Sequence, residues 1–310
     1  MNNSDIPHSI LSQIDDIRND NLSGANELAL RAIEVIQNQL DLIAYEDRDI
    51  KDLFLKLVGN IIRVRPSMAP LINSMGFLIS NIDEFTKGSI FKAISLFYKF
   101  QTKKQEKLQE NFKLLLNRLA LSEISIITLS YSSTLLNIIQ SAKDFSFNFY
   151  VLESRPLLEG QKLAEILSKT YETHLIVDAA LGKFIDHIDL VLIGVDSILK
   201  DGSIINKIGT YPLAALAKSS NKQVYVICDS FKYNLWSHYG IEVKIEEKPI
   251  NEVYNKKVFS DSLNVHNYYF DITPAKFLDI IISDLGVLSV NDFLRDIEKN
   301  LPINWFKQFI

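Results

Sequence analysis

The sequence predicts an α/β protein: an all-helical N-terminal domain over residues 1–121, then a Rossmann-like, doubly wound parallel sheet domain over residues 122–310. Three observations predict it. Before residue 121 the apolar residues recur at helical spacing, after 122 they gather into short β-branched runs, and helical stretches alternate with those runs. Continuous apolar strands separated by helices indicate a parallel sheet covered on both faces. With 310 residues and 47% hydrophobic content, the chain has material for one large or two moderate cores.

In the first half, Ile10, Ile14 and Ile17 mark one helix, Leu28, Ala32, Val35, Ile36 and Leu40 a second, and Leu53, Leu57 and Ile61 a third. Asp49 before "IKDLFLKLVGNII" is a start signal for the third. The stretch "SIFKAISLFYKFQTKKQEKLQENFKLLLNRLALS" reads as one or two long helices, its basic "KFQTKKQEK" as a solvated face. In the second half, "ISIITL" (124–129), "FNFYVL" (147–152), "HLIVDA" (174–179), "DLVLIGV" (189–195) and "QVYVIC" (223–228) read as strands. "GQKLAEILSKTY" and "TYPLAALAKSSN" read as helices between them. The tail "NYYFDITPAKFLDIIISDLGVLS" adds a last strand-like piece and a helix.

Composition excludes several functions. A net charge of -5 with Lys and Arg spread along the chain argues against a nucleic-acid partner. Cys228, the sole cysteine, sits in an apolar run and reads as core, which excludes disulfides and cysteine zinc sites. The histidines at 8, 174, 187, 238 and 266 have no metal-ligand spacing, so no metal is expected. The N-terminus lacks the pattern of a signal peptide, and no apolar segment reaches roughly 18 residues. A soluble, cytoplasmic chain with no membrane partner is expected. Without a Gly-rich dinucleotide fingerprint or P-loop, no nicotinamide or other cofactor is expected either.

Ligands of such sheets bind beyond the carboxyl ends of the strands. Those ends carry Thr128 to Ser133, "ESRP" (153–156), Asp178, Asp196 and "DSFK" (229–232). Hydroxyls, carboxylates, Arg155 and Lys232 together suit a polar, phosphorylated ligand. Ser132 and Ser133 precede a helix, so they either help form an anion site at its N-terminus or simply cap it, a cap being worth about 1 kcal/mol. Asp196 ends a buried strand after Gly194; partly desolvated, it is either an acid with a raised pKa or an anchor for backbone N–H groups of the next turn. Asn206 and Lys207 stand before a helix opened by Gly209 and Thr210, an arrangement that again suits a phosphate.

The segments "RPSMAPLINSM", "LESRPLLEGQKLA", "DLVLIGVDSILKDGSIINKIGTYPLAALAK", "VYVICDSFK" and "FDITPAKFLDIIISDLGVLS" resemble, in this order, the translation initiation factor 2B alpha/beta/delta subunit family. That family includes archaeal ribose-1,5-bisphosphate isomerase and methylthioribose-1-phosphate isomerase. The likeness covers nearly the whole chain and is closest to the alpha-subunit-like, archaeal branch. It implies a helical domain, a Rossmann-like domain and a homodimer formed through the latter; the isomerase likeness implies hexamers, and initiation factor 2 is a candidate partner that the sequence leaves open.

For the isomerase branch the resemblance implies a catalytic Cys and Asp, an Arg-Gly-Ala loop, an Arg-Pro segment, an Asn-Lys pair and a later Lys that hold sugar phosphates. Here the Asp is Asp196, the pair Asn206 and Lys207, the later Lys Lys232 and the Arg-Pro arginine Arg65. The Cys position falls on Ser130. The loop reads "LSGAN", with Ser23 in place of Arg, then Gly24 and Ala25. A thiol titrates near 8.5, whereas a serine hydroxyl needs an adjacent base to exchange its proton. Ser23 offers a neutral hydrogen bond where a guanidinium would bind phosphate bidentately. The expected function is therefore a binding protein for a sugar phosphate or nucleoside monophosphate, with ribose-1,5-bisphosphate isomerisation as the alternative.

Overall fold

In a computed structural model, residues 6–20, 23–42, 50–254 and 262–310 are described; Leu22 of the loop and Asp49 fall outside them. Among the described residues the first half forms α1 (His8–Asn19), α2 (Ala25–Leu42), α3 (Ile50–Val64), α4 (Ala69–Ser80) and α5 (Lys87–Leu119). The apolar stripes read from the sequence are their buried faces: Ile10, Ile14 and Ile17 on α1, Leu53, Leu57 and Ile61 on α3. α5 is one helix of 33 residues, started by the Thr86 hydroxyl, which accepts the Ser89 N–H at 3.2 Å.

The second half runs β1 (Glu123–Leu129), α6 (Ser133–Ser141), β2 (Ser146–Leu152), α7 (Glu159–Leu167), β3 (Glu172–Ile176), α8 (Leu181–Phe184) and β4 (Leu190–Ile193). It continues through β5 (Ser197–Ile198), β6 (Ile204–Lys207), α9 (Thr210–Ser219), β7 (Gln223–Ile227) and α10 (Leu235–His238). It closes with β8 (Phe270–Thr273), β9 (Ile280–Ser283), β10 (Gly286–Leu288) and α11 (Val290–Asn300). The main sheet has the order β10-β9-β7-β4-β1-β2-β3, parallel except for β10, which turns back on β9. Strands β1, β2 and β3 advance one way and β4, β7 and β9 the other, so the order reverses between β1 and β4. Such a reversal leaves a crevice beyond the strand ends.

Three features differ from the sequence reading. The third strand is Glu172–Ile176, two residues earlier than its apolar run, because Asp178–Ala180 turns into a 3-10 helix. The tail holds three strands instead of one, and β8 joins β5 and β6 in a separate antiparallel sheet. Lys104, in the basic run read as solvated, is buried: its ammonium lies 3.0 Å from Asp229 and 3.6 Å over the Phe231 ring.

Helix α5 also ties the halves together. Its first part packs Ile90, Ala93, Ile94 and Phe97 into a core shared by helices and sheet. Its second part packs Leu108, Phe112, Leu115 and Leu116 against the opposite sheet face with Phe149, Leu192 and Ile282.

Candidate functional site

β1 ends at Leu129, and Ser130 takes a left-handed conformation (φ 62°) that turns the chain sharply toward α6. A non-glycine residue holds that conformation only when its surroundings compensate. Here the Ser130 N–H donates to Ser154 Oγ at 2.7 Å, and Ser154 Oγ donates to the Leu152 carbonyl at 3.0 Å. Ser132 then caps α6, its hydroxyl accepting the Leu135 N–H at 3.2 Å. Gly194, at the end of β4, lets this cap sit close: a Cβ there would lie 2.7 Å from Ser132 Oγ.

Two adjoining cavities of about 50 and 70 Å³ open over these strand ends, at the reversal between β1 and β4. Ser130, Gly24 and Asp196 line both. The first is completed by Ala25, Ser132, Ser133, Asn206 and Lys232, the second by Ser23, Arg65 and Lys207. The structure thus brings together every site residue read from the sequence except Arg155. Arg155 lines neither cavity: its exposed side chain donates to the Glu252 carbonyl at 3.2 Å, and Asp178 accepts the Ser154 and Arg155 N–H groups.

Charge in the crevice is mixed. Lys232 Nζ is 4.0 Å from Asp196, and Lys207 Nζ donates to Glu159 at 2.8 Å while lying 5.1 Å from the Tyr269 ring centre. Arg65 donates to the carbonyls of Ile17 and Asp20. Burial raises the Asp196 pKa above the ordinary carboxyl value, and the cations Lys232, Lys207 and Arg65 only partly offset it. Among the described residues no N–H group bonds the Asp196 carboxylate, so the turn-anchor alternative finds no support in the geometry.

The α9 N-terminus is not free for a phosphate. Asp271 already accepts the N–H groups of Gly209 at 2.9 Å and Tyr211 at 3.1 Å, and Asn206 turns its amide to Thr210 at 3.0 Å. The starts of α2 at Ala25, α6 at Ser133 and α7 at Glu159 also border the crevice.

Sequence reasoning missed Asn26, Glu159 and Tyr269, which also line the cavities. Asn26 directly follows the Ser23–Ala25 loop, and its amide reaches Thr134 Oγ1 at 3.4 Å and Asp229 Oδ2 at 3.3 Å. Glu159 opens α7, whose close approach to β2 requires Gly160: a Cβ there would lie 1.8 Å from the Leu152 carbonyl oxygen. That glycine was the available signal. No histidine lines either cavity, and among the described residues no group of three His, Cys, Asp or Glu side chains could hold a metal.

A helical half closed over a doubly wound sheet, with a polar, cation-lined crevice at the reversal of strand order, defines a helix-capped Rossmann-like protein. The chain belongs to the initiation factor 2 subunit family, whose profile matches residues 21–290. An eIF-2B subunit 2-like translation initiation factor of Pyrococcus furiosus is 30% identical over 290 residues, 91% of this chain and 97% of the relative. The ribose 1,5-bisphosphate isomerase of Archaeoglobus fulgidus is 27% identical, with 90% and 89% covered. Among solved structures, the Pyrococcus horikoshii translation initiation factor eIF-2B superposes with a TM-score of 0.77 at 27% identity, covering 94% of this chain and all of the other.

Proposed function

We propose that the protein is an initiation factor 2B alpha-subunit-like binding protein whose crevice holds a sugar phosphate or nucleoside monophosphate as a regulatory or structural ligand. The observation that carries this reading is the convergence of three buried cations, Arg65, Lys207 and Lys232, on one crevice that also contains the hydroxyl-rich start of α6. A phosphate dianion there gains the positive end of the helix and charge-assisted hydrogen bonds. Ser130, which stands where the resemblance implies cysteine, offers an oxygen ligand with no histidine beside it to take its proton.

One observation favours the alternative, ribose-1,5-bisphosphate isomerisation. Asp196 has a raised pKa and would donate a proton to a ring oxygen, a role for which a desolvated carboxyl is suited. The test is purified protein with ribose 1,5-bisphosphate, followed by ribulose 1,5-bisphosphate formation and by thermal shift, with Ser130→Cys alongside. Thermal stabilisation without turnover supports the binding reading. Turnover that vanishes in Asp196→Asn replaces it with the isomerase, and neither stabilisation nor turnover removes both.

The same reading includes assembly through the sheet domain as a homodimer, grouped into hexamers if the isomerase likeness holds, with initiation factor 2 as a partner in the cytoplasm. The exposed Leu175 and Val177 at the open β3 edge support the dimer. Light scattering of Leu175→Lys tests it: a mass unchanged from the parent's would remove that edge from the interface. No helix among the described residues is long and apolar enough to cross a membrane.

A further inference from the structure

Beside the crevice lies a cavity of about 290 Å³ bounded by α2, α5 and α6, several times larger than either crevice cavity. That volume is close to the lower end of the roughly 300–1,000 Å³ typical of small-molecule sites. We propose that this cavity is a second binding site, for a small uncharged planar molecule with amide or heteroaromatic edges, and that its occupancy tightens the neighbouring crevice.

The lining decides the ligand class. Its charged members are Lys104, Asp229 and Glu27. Lys104 is already committed to Asp229 and to the face of Phe231, which leaves Glu27 uncompensated and the cavity with an excess of negative charge. The cavity's one cation is thus committed, and a phosphate finds no further cation here. Leu30, Leu108 and Ile138 supply apolar surface for the faces of a ring. The amides of Gln101, Gln105 and Asn137 take no protein partner among the described residues, so their donors and acceptors are open to the edges of a ligand. Flat faces on aliphatic carbon with edges on amides suit a heteroaromatic amide or a free base.

The coupling follows from shared walls. Asn26, Ser133 and Thr134 line both this cavity and the crevice. The Asn26 amide bridges Thr134, in the first turn of α6, to Asp229, which also accepts the Phe231 N–H at 2.8 Å and so holds the turn that carries Lys232. A ligand packed against this bridge orders the Ser23–Ala25 loop, the α6 start and the Lys232 turn together, lowering the cost of ordering them for a crevice ligand. By linkage the effect is reciprocal. The coupling, though not the site, rests on the crevice reading given above.

The experiment is titration of the full chain with nicotinamide and with adenine, by ligand-observed NMR and calorimetry, then titration with ribose 5-phosphate with and without the better probe. One probe is expected to bind, and Gln105→Ala/Asn137→Ala, two exposed helix positions, is expected to weaken it about tenfold or more through lost hydrogen bonds, at an unchanged melting temperature. The affinity for ribose 5-phosphate is expected to rise at least about fivefold when the probe is bound. No binding of either probe up to about 10 mM, or binding that the double variant leaves intact, overturns the site. Binding without any effect on ribose 5-phosphate overturns the coupling. Failure of ribose 5-phosphate to bind while a probe still does overturns the crevice reading and the coupling, and leaves the second site standing.

Discussion

Replacing Lys104 by methionine removes one half of an ion pair whose side chains are only 3% and 10% exposed. Methionine keeps most of the stem packed on Phe231 and deletes the ammonium. Asp229 then keeps the Phe231 N–H at 2.8 Å and the more distant Asn26 amide, but loses the charge that stabilises its carboxylate. Burial alone would raise the Asp229 pKa; Lys104 first, then Lys232, outweigh it and hold the carboxyl below its ordinary value. Stranding one charge of a buried pair costs about 3–5 kcal/mol, whereas removing both charges together is often near neutral. Urea unfolding is therefore expected to show a loss of about 3–5 kcal/mol for Lys104→Met and recovery of most of it in Lys104→Met/Asp229→Asn. A single variant that loses less than about 1 kcal/mol, or a double variant no more stable than the single, would refute the buried-pair reasoning.

Four further outcomes are expected. Gly160→Ala places a methyl 1.8 Å from a backbone carbonyl that cannot move aside, so it should yield little folded protein, while Gly194→Ala should fold and lose about 1–2 kcal/mol as the Ser132 cap is displaced; circular dichroism melts separate the two. Asp196→Asn should leave the melting temperature unchanged or raise it, because ionised Asp196 is penalised by burial; a large drop would reinstate the turn-anchor role. Sulfate, whose charge is constant, should bind the crevice more tightly as pH falls through the raised pKa of Asp196, since protonation removes a negative charge beside Lys232. For the linked stability the signs oppose: Asp229, depressed, contributes stability that is lost as pH falls through its folded pKa, while Asp196, raised, gains from protonation, so acid melts of the parent should be steeper below about pH 4 than those of Lys104→Met/Asp229→Asn.

The main sheet was legible because its inner strands are continuous apolar runs, and the crevice because those strands end in polar residues at the reversal of order. The β5–β6–β8 sheet was not, since strands of two to four residues carry no readable period. Lys104 was misread because a basic run on a helix is usually solvated, and what buries it, Asp229, lies 125 residues away. Arg155 was misread because proximity to a strand end says nothing of which way a turn sends its side chain. Asn26 carries no spacing signal at all, and Glu159 only the glycine that follows it: the fold brings them to the crevice.

The shared helix α5 has a consequence for synthesis. Leu108, Phe112, Leu115 and Leu116 leave the ribosome early, yet their cover includes Ile282, and the Asn111 amide bonds the Ser283 carbonyl across 172 residues of chain. At ~5–20 residues per second, that apolar stripe waits about 10–30 s for its last strand. That stripe stays uncovered during the interval, and a translational pause before residue 283 lengthens the time in which it can aggregate.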